Sequence, residues 1–398
     1  VLRRVLLVVV ALLVCAACAT TGAPAPLIEV DEPVALVDEA VHLRVTGLAA
    51  GERVEIGLEG PAADGVQWRS SGTWEADDGG VVDLREDPPL TGSYGGADGM
   101  GLFWSMAPPP GSSSGSSGAL VPPGAGEPFG LAVTARADGR APARRELVRR
   151  WLADGVTARA LTTAADGVAS VLYLPAAGAP IRPPVLVIGG SEPVPPLPTA
   201  ALLASRGFPA LALDHVGGEG LPATLRRVPL EYFATAADVL RRASGSGRVA
   251  VVGYSRGSEA ALLLSHHRPD LVRGTVLCAP NDGVWPAFPP PGDAWTLAGR
   301  PVPPGPIPVD GVTGPVLTVS GGRDRTWDST GQARRIVDAL AAAGVAHRFL
   351  DHPGAGHHVG QHPHLPYGPD GADADSRAAD AAARADAWPQ IVELLASS

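Results

Sequence analysis

Residues 251–262 read VVGYSRGSEAAL: an apolar run rich in β-branched residues, a Gly-x-Ser-x-Gly pentapeptide, then good helix formers. A serine at such a junction matters where a strand turns sharply into a helix, because that turn lifts Oγ above the edge of a sheet. Gly253 and Gly257 suit the turn, since a side chain at either place would collide with the neighbouring strand or helix. In a chain of 50 glycines the pentapeptide alone is a weak signal. Ser255 needs partners: its hydroxyl is a poor nucleophile near neutrality until a base takes the proton, and the base needs an acid to fix its tautomer.

Both partners follow strand-like segments. After PVLTVS (315–320), Gly321-Gly322-Arg323-Asp324 sets a carboxylate just past the strand end. After HRFLDHP (347–353), Gly356-His357 sets an imidazole in the next loop. The order Ser255, Asp324, His357 is that of α/β-hydrolases. Asp328 competes for the acid's role but lies beyond Trp327, further from the strand end, which favours Asp324. The glycine before His357 permits a tight turn, whereas His352 and His358 read as solvated or structural. His357, His358, His362 and His364 could instead gather a metal. Glycines and prolines disfavour the helix that would align them, and no His-Glu-x-x-His occurs, so neither metal nor cofactor is expected.

Acyl transfer also needs donors for a tetrahedral oxyanion. The backbone N–H of Arg256 is one, and the loop after PVLVIGG (184–190) offers Gly190, with Gly189 and Ser191 beside it. The side chain of Arg256 is free, on this reading, to steer an anionic substrate.

From about Gly167 onward, strand-like and helix-like segments alternate: VASVLYLP, PVLVIGG, ALLASRG, PALALD, a helix from Leu230, VAVVGYS, GTVLCAP, then the two segments above and a closing helix at RADAWPQIVELLAS. Such alternation predicts a mainly parallel sheet with helices on both faces. The proline-rich stretch Trp285 to Pro315 lies between two strands, where a cap would be inserted. The preceding part, 27–166, reads as all-β. VHLRVTGL (41–48) and RVEIGL (53–58) put Val41, Leu43 and Val45, then Val54, Ile56 and Leu58, on one face each, predicting a small antiparallel sandwich. A Gly/Ser/Pro tract between Pro108 and Gly124 reads as a flexible loop.

The chain's 398 residues allow two domains and a sizeable core, and its net charge of −10 gives nucleic acid no basic face to bind. Residues 1–22, VLRRVLLVVVALLVCAACATTG, place Arg3 and Arg4 before an apolar stretch, Val5 to Val14, and a small-residue site, Ala16-Ala17-Cys18. That is a secretory pattern too short to span a bilayer. Ala-Ala-Cys resembles a bacterial lipoprotein box, which implies a signal peptide at 1–18, a lipidated Cys18, a linker at 19–26 and an extracytoplasmic, membrane-anchored protein. Cys15 offers a second cysteine in the same stretch, and an ordinary secretory leader is the alternative. After processing at Cys18 only Cys278 remains, so no internal disulfide is expected.

The segments GLEGPAADG (57–65), TGSYGGADGMGLFWSM (91–106), LASRGFPALALDH (203–215), LPATLRRVPLEYF (221–233), VVGYSRGSEAAL, GGRDRTWDS (321–329) and PGAGHHV (353–359) together resemble the acyl-CoA thioesterase and bile acid-CoA:amino acid N-acyltransferase family. The likeness runs from about Leu27 through DAWPQIVELL (386–395). It implies an immunoglobulin-like sandwich over 27–166 and an α/β-hydrolase domain over 167–398, with Ser255, Asp324 and His357 as nucleophile, acid and base. The amino-acid-conjugating members carry cysteine as nucleophile, so a serine implies hydrolysis of an acyl thioester or ester. An envelope ester and a catalytically silent lipoprotein that binds a partner are the other readings, and no oligomeric state follows.

Overall fold

The computed structural model describes residues 23–109, 126–367 and 374–398. The expected signal peptide, Cys18 and residues 110–124 of the Gly/Ser/Pro tract lie outside the described residues. Among those described, no helix is long and apolar enough to cross a membrane.

The N-terminal part builds two sheets from the alternating segments. One has six strands in the order Val34–Leu36, Ala143–Arg150, Phe129–Ala137, Arg53–Pro61, Gln67–Glu75, Thr91–Gly92. The other has three, Leu27–Val30, Leu43–Thr46 and Val82–Asp83. Neighbours run antiparallel except Val34–Leu36 against Ala143–Arg150. The two-residue period works as expected: Val41, Leu43, Val45, Val54, Ile56 and Leu58 are all buried in one core shared by both sheets. GLFWSM departs from the all-β expectation, forming a helical turn at Gly101–Trp104 with all four residues buried. A single turn is too short for its period to register in a sequence.

The rest of the chain forms an eight-stranded sheet: β1 (Thr157–Leu161), β2 (Ser170–Leu174), β3 (Val185–Ile188), β4 (Ala210–Leu213), β5 (Val249–Tyr254), β6 (Val272–Cys278), β7 (Val316–Gly321) and β8 (His347–His352). Their order is β1-β2-β4-β3-β5-β6-β7-β8. The pairs β1/β2 and β2/β4 are antiparallel and the others parallel. The sheet therefore begins earlier than the expected boundary at 166/167, between Arg150 and Thr157. The reason is that β1, TARAL, is an edge strand with four exposed residues and no apolar alternation to announce it.

The central strands are buried end to end, as continuous apolar runs require when both faces are covered. Val185 and Val187 join one core with helix α1 (Leu197–Ser205), helix α5 (Ala374–Ser397) and the N-terminal sheets. Leu186 and Ile188 join the other core with α2 (Leu230–Ser244), α3 (Arg256–His267) and α4 (Ser329–Ala342). Each fully buried Val, Leu or Ile contributes about 1.5–3 kcal/mol by leaving water. Polar links cross between the two parts of the chain, Arg377 of α5 donating to the Ser105 carbonyl at 3.4 Å among them, and the most deeply buried centres on Asp38. The carboxylate of Asp38 pairs with Arg206, just past α1, at 2.8 Å and accepts from Trp388 Nε1 of α5 at 2.7 Å.

Candidate active site

Ser255 stands between β5 and α3 with φ 53° and ψ −124°, a backbone state that non-glycine residues rarely hold. Its surroundings fix that state. Ser255 N–H donates to the Cys278 carbonyl at 2.9 Å, while Ser258 donates to the Ser255 carbonyl through its N–H at 2.9 Å and its hydroxyl at 2.6 Å. A Cβ on Gly253 would overlap the Gly257 carbonyl, and one on Gly257 would overlap the Gly189 carbonyl. The flanking glycines thus let the turn close against the β3 loop.

The two distant partners converge on this serine. Ser255 Oγ lies 2.9 Å from His357 Nε2, and His357 Nδ1 lies 2.8 Å from Asp324 Oδ2. With the imidazole neutral, Nδ1–H donates to the carboxylate and the serine hydroxyl donates to Nε2. The other Asp324 oxygen accepts from the backbone N–H of Thr326 at 2.8 Å and of Trp327 at 3.3 Å. Burial pulls the Asp324 carboxyl upward, but hydrogen bonding and charge from His357, with the Thr326 N–H and Ser329 hydroxyl, outweigh it and hold the group below its usual range. Asp328 caps α4 instead, accepting from Gly331 N–H at 2.9 Å. Behind the histidine loop, Asp380 of α5 accepts from Gly356 N–H at 2.6 Å, a long-range tie that no local pattern could reveal.

The competing histidines point elsewhere. His358 packs on Tyr367, His362 stands edge-on to Trp151 at 5.1 Å, and His352 faces Asp386 at 3.8 Å. Burial is the main cause that pushes His358 down to about 4, and His362 and His364 to about 3. Among the described residues, no three His, Cys, Asp or Glu side chains converge on a point where a metal would sit.

Gly190 lies directly against the serine, where an added Cβ would be 3.4 Å from Ser255 Cβ. Burial drives the imidazole of His215 down to about 4, although the Gly190 backbone pulls it upward. Arg256 opens α3, so its backbone N–H has no acceptor within the helix. Its side chain corrects the sequence reading. Rather than reaching for substrate, the guanidinium is buried and paired with Glu259, because the next turn of the helix supplies a carboxylate at i+3. Sequence reasoning also passed over Trp327, edge-on to His357 at 4.9 Å, and Trp285, which meets Trp327 at 5.4 Å.

Comparison with known proteins matches two separate regions of the chain. Residues 38–163 match the acyl-CoA thioester hydrolase/BAAT N-terminal region, and residues 223–398 match the dienelactone hydrolase family. Mouse bile acid-CoA:amino acid N-acyltransferase is 31% identical over 61% of this chain, and the match spans only 59% of that relative's length. Mouse acyl-coenzyme A thioesterase 6 is 29% identical over 83% of this chain and 84% of its own. A solved putative dienelactone hydrolase from Klebsiella pneumoniae is 19% identical, covering 62% of this chain and 100% of its own at a TM-score of 0.44. An N-terminal stretch like the acyl-CoA thioester hydrolase/BAAT region followed by a stretch like the dienelactone hydrolase family makes this chain similar to acyl-CoA thioesterases and bile acid-CoA:amino acid N-acyltransferases, and it spans 56–59% of the length of the first curated relatives it matches.

Proposed function

We propose that the protein is a serine hydrolase of acyl thioesters, acting on acyl-CoA or a close analogue. The observation that carries this is the hydrogen-bonded series Ser255 Oγ, His357, Asp324 on a strand-to-helix turn. Ser255 Oγ attacks the carbonyl carbon as His357 Nε2 takes the hydroxyl proton, and the carbonyl π electrons move onto oxygen. That oxyanion is met by the N–H groups of Arg256 and Gly190. Collapse breaks the carbon–sulfur bond, and the imidazolium returns its proton to the departing thiolate. Water repeats the sequence on the acyl-enzyme, releasing acid and restoring Ser255, while Asp324 holds the ring in one tautomer. Labelling with a fluorophosphonate, followed by turnover of acyl-CoA monitored through the freed thiol, tests it. Failure of folded protein to label at Ser255 would remove the mechanism.

The leader-like stretch at residues 1–22 supports a second substrate reading, an ester of the cell envelope. On that reading Cys18 carries lipid and the enzyme is anchored outside the cytoplasm. Mass spectrometry of the mature N-terminus from the native host tests the location, and a panel of esters against acyl-CoA tests the substrate. We also infer an immunoglobulin-like identity for the N-terminal sandwich, supported by its two packed, largely antiparallel sheets. An experimental structure with the strand connections traced tests that.

A further inference from the structure

Arg256 and Glu259 are both buried, their side chains at 6% and 0% exposure. A buried charge pair is retained at little loss only when its remaining hydrogen-bonding positions are filled. Here one segment after β6 fills them. Asn281 Nδ2 donates to Glu259 Oε1 at 2.5 Å and Trp295 Nε1 to Oε2 at 2.7 Å. Trp285 is gripped on both sides: its N–H donates to Glu259 Oε2 at 3.3 Å and its carbonyl accepts from Arg256 Nη2 at 3.1 Å. The helix that begins at the nucleophile therefore fixes the backbone of one tryptophan.

Trp285, so held by its backbone, is 37% exposed. It meets the Trp327 ring at 5.4 Å and 63°, and Trp327 meets His357 at 4.9 Å and 86°. Two indoles thus run outward from the ring that would receive the serine proton, with Phe288 exposed three residues further along the chain. Aromatic faces held in place offer large apolar contact at little entropic loss. In an acyl thioester of the coenzyme A class the hydrocarbon lies on the acyl side, since the leaving group is polar.

We propose that Trp285 and Trp327 form the subsite for the hydrocarbon of the acyl group, and that the Arg256–Glu259 pair positions Trp285 within it. These two side chains then set how far an apolar acyl group is preferred over acetyl. This rests on the hydrolase reading above. The test compares kcat/KM for octanoyl and acetyl p-nitrophenyl esters in wild type, Trp285→Ala, Trp285→Phe and Glu259→Gln, each normalised to fluorophosphonate-reactive sites. Trp285→Ala is expected to lower the octanoyl-to-acetyl ratio about tenfold, mainly through KM. Trp285→Phe restores most of it, and Glu259→Gln moves it the same way as Trp285→Ala. A merely structural role would depress both esters in proportion and leave the ratio fixed. An unchanged ratio in Trp285→Ala overturns the subsite; if that variant does not label, Trp285→Leu serves for the same comparison. Wild-type protein that neither labels nor hydrolyses any ester removes the hydrolase reading itself, a distinguishable outcome.

Discussion

Asp324 gives one carboxylate oxygen to His357 Nδ1 at 2.8 Å and has the other tied by the N–H groups of Thr326 and Trp327. The carboxylate cannot rotate without breaking three contacts, so the imidazole it holds is fixed in both orientation and tautomer. Asp324→Asn keeps the shape but offers an amide that can donate where an acceptor is required. Turnover is expected to fall by about 10³–10⁴ with the fold intact. Asp328→Ala removes only the α4 cap and is expected to lower unfolding free energy by about 1 kcal/mol, with turnover per folded molecule unchanged. Steady-state kinetics on both variants, with urea unfolding alongside, check the pair. The reverse pattern would reassign the acid.

Gly257 separates turn mechanics from motif membership. Its Cβ would overlap the backbone carbonyl of Gly189 and lie 2.8 Å from that of Ile188, neither of which can swing away as a side chain could. Gly257→Ala is therefore expected to lose roughly 2 kcal/mol or more of stability, and labelling of Ser255 with it. At Gly247 an added methyl meets nothing within 4 Å, so Gly247→Ala is the control expected within about 0.5 kcal/mol of wild type. Thermal melts of the two proteins compare them directly.

These positions also mark how far the sequence could be read. The convergence of Ser255, Asp324 and His357 was legible because each follows a strand-like segment and has a glycine within a few residues, so local pattern and chemistry coincide. Asp328 was distinguishable from Asp324 by distance from the strand end, and its capping bond to Gly331 explains why a carboxylate is there at all. Glu259 was not legible as a buried group. It sits in the first turn of a helix, where an acidic residue ordinarily faces solvent, but residues 256–265 of this helix are buried all round, and only the fold brings Asn281, Trp285 and Trp295 to it. Arg256 was misread for the same reason. Asp380 and His215 act across more than twenty residues of chain on Gly356 and Gly190, beyond any local window.

Asp38 ties the two parts of the chain together through Arg206 and Trp388. Burial raises its carboxyl pKa, against the opposing pull of Arg206 and the Trp388 hydrogen bond, so the group is held there at some loss. Removing it leaves a half-buried guanidinium and a buried indole N–H without their acceptor. Asp38→Ala is expected to lower stability by about 3–5 kcal/mol, the range for breaking one side of a buried pair. Limited proteolysis should then cut within residues 151–156, between the two sheets, faster than in wild type. Equal protection of that connection in both proteins would separate Asp38 from the interface.

The buried histidines set an acid limit whose sign is fixed. His362 is buried, edge-on to Trp151, and lowered to about 3, with burial first and the charge of Arg384 second among the causes. An unfolded histidine titrates near about 6.5. Between those values the unfolded chain holds a proton that the folded one does not. The stability this histidine allows is therefore whole above about pH 6.5 and falls by about 1.4 kcal/mol per pH unit as acid is added, down towards its folded value. His215 and His358, both lowered to about 4, add in the same direction. Asp38, Glu259 and Asp380, with raised values, act oppositely over part of the range. The difference between wild type and His362→Gln isolates one group from that sum. Urea midpoints measured from pH 7.5 to 5 should show the variant losing about 1.4 kcal/mol less per unit below pH 6. Parallel curves would mean that His362 takes up its proton alike in the folded and unfolded protein and that its burial has no bearing on acid sensitivity.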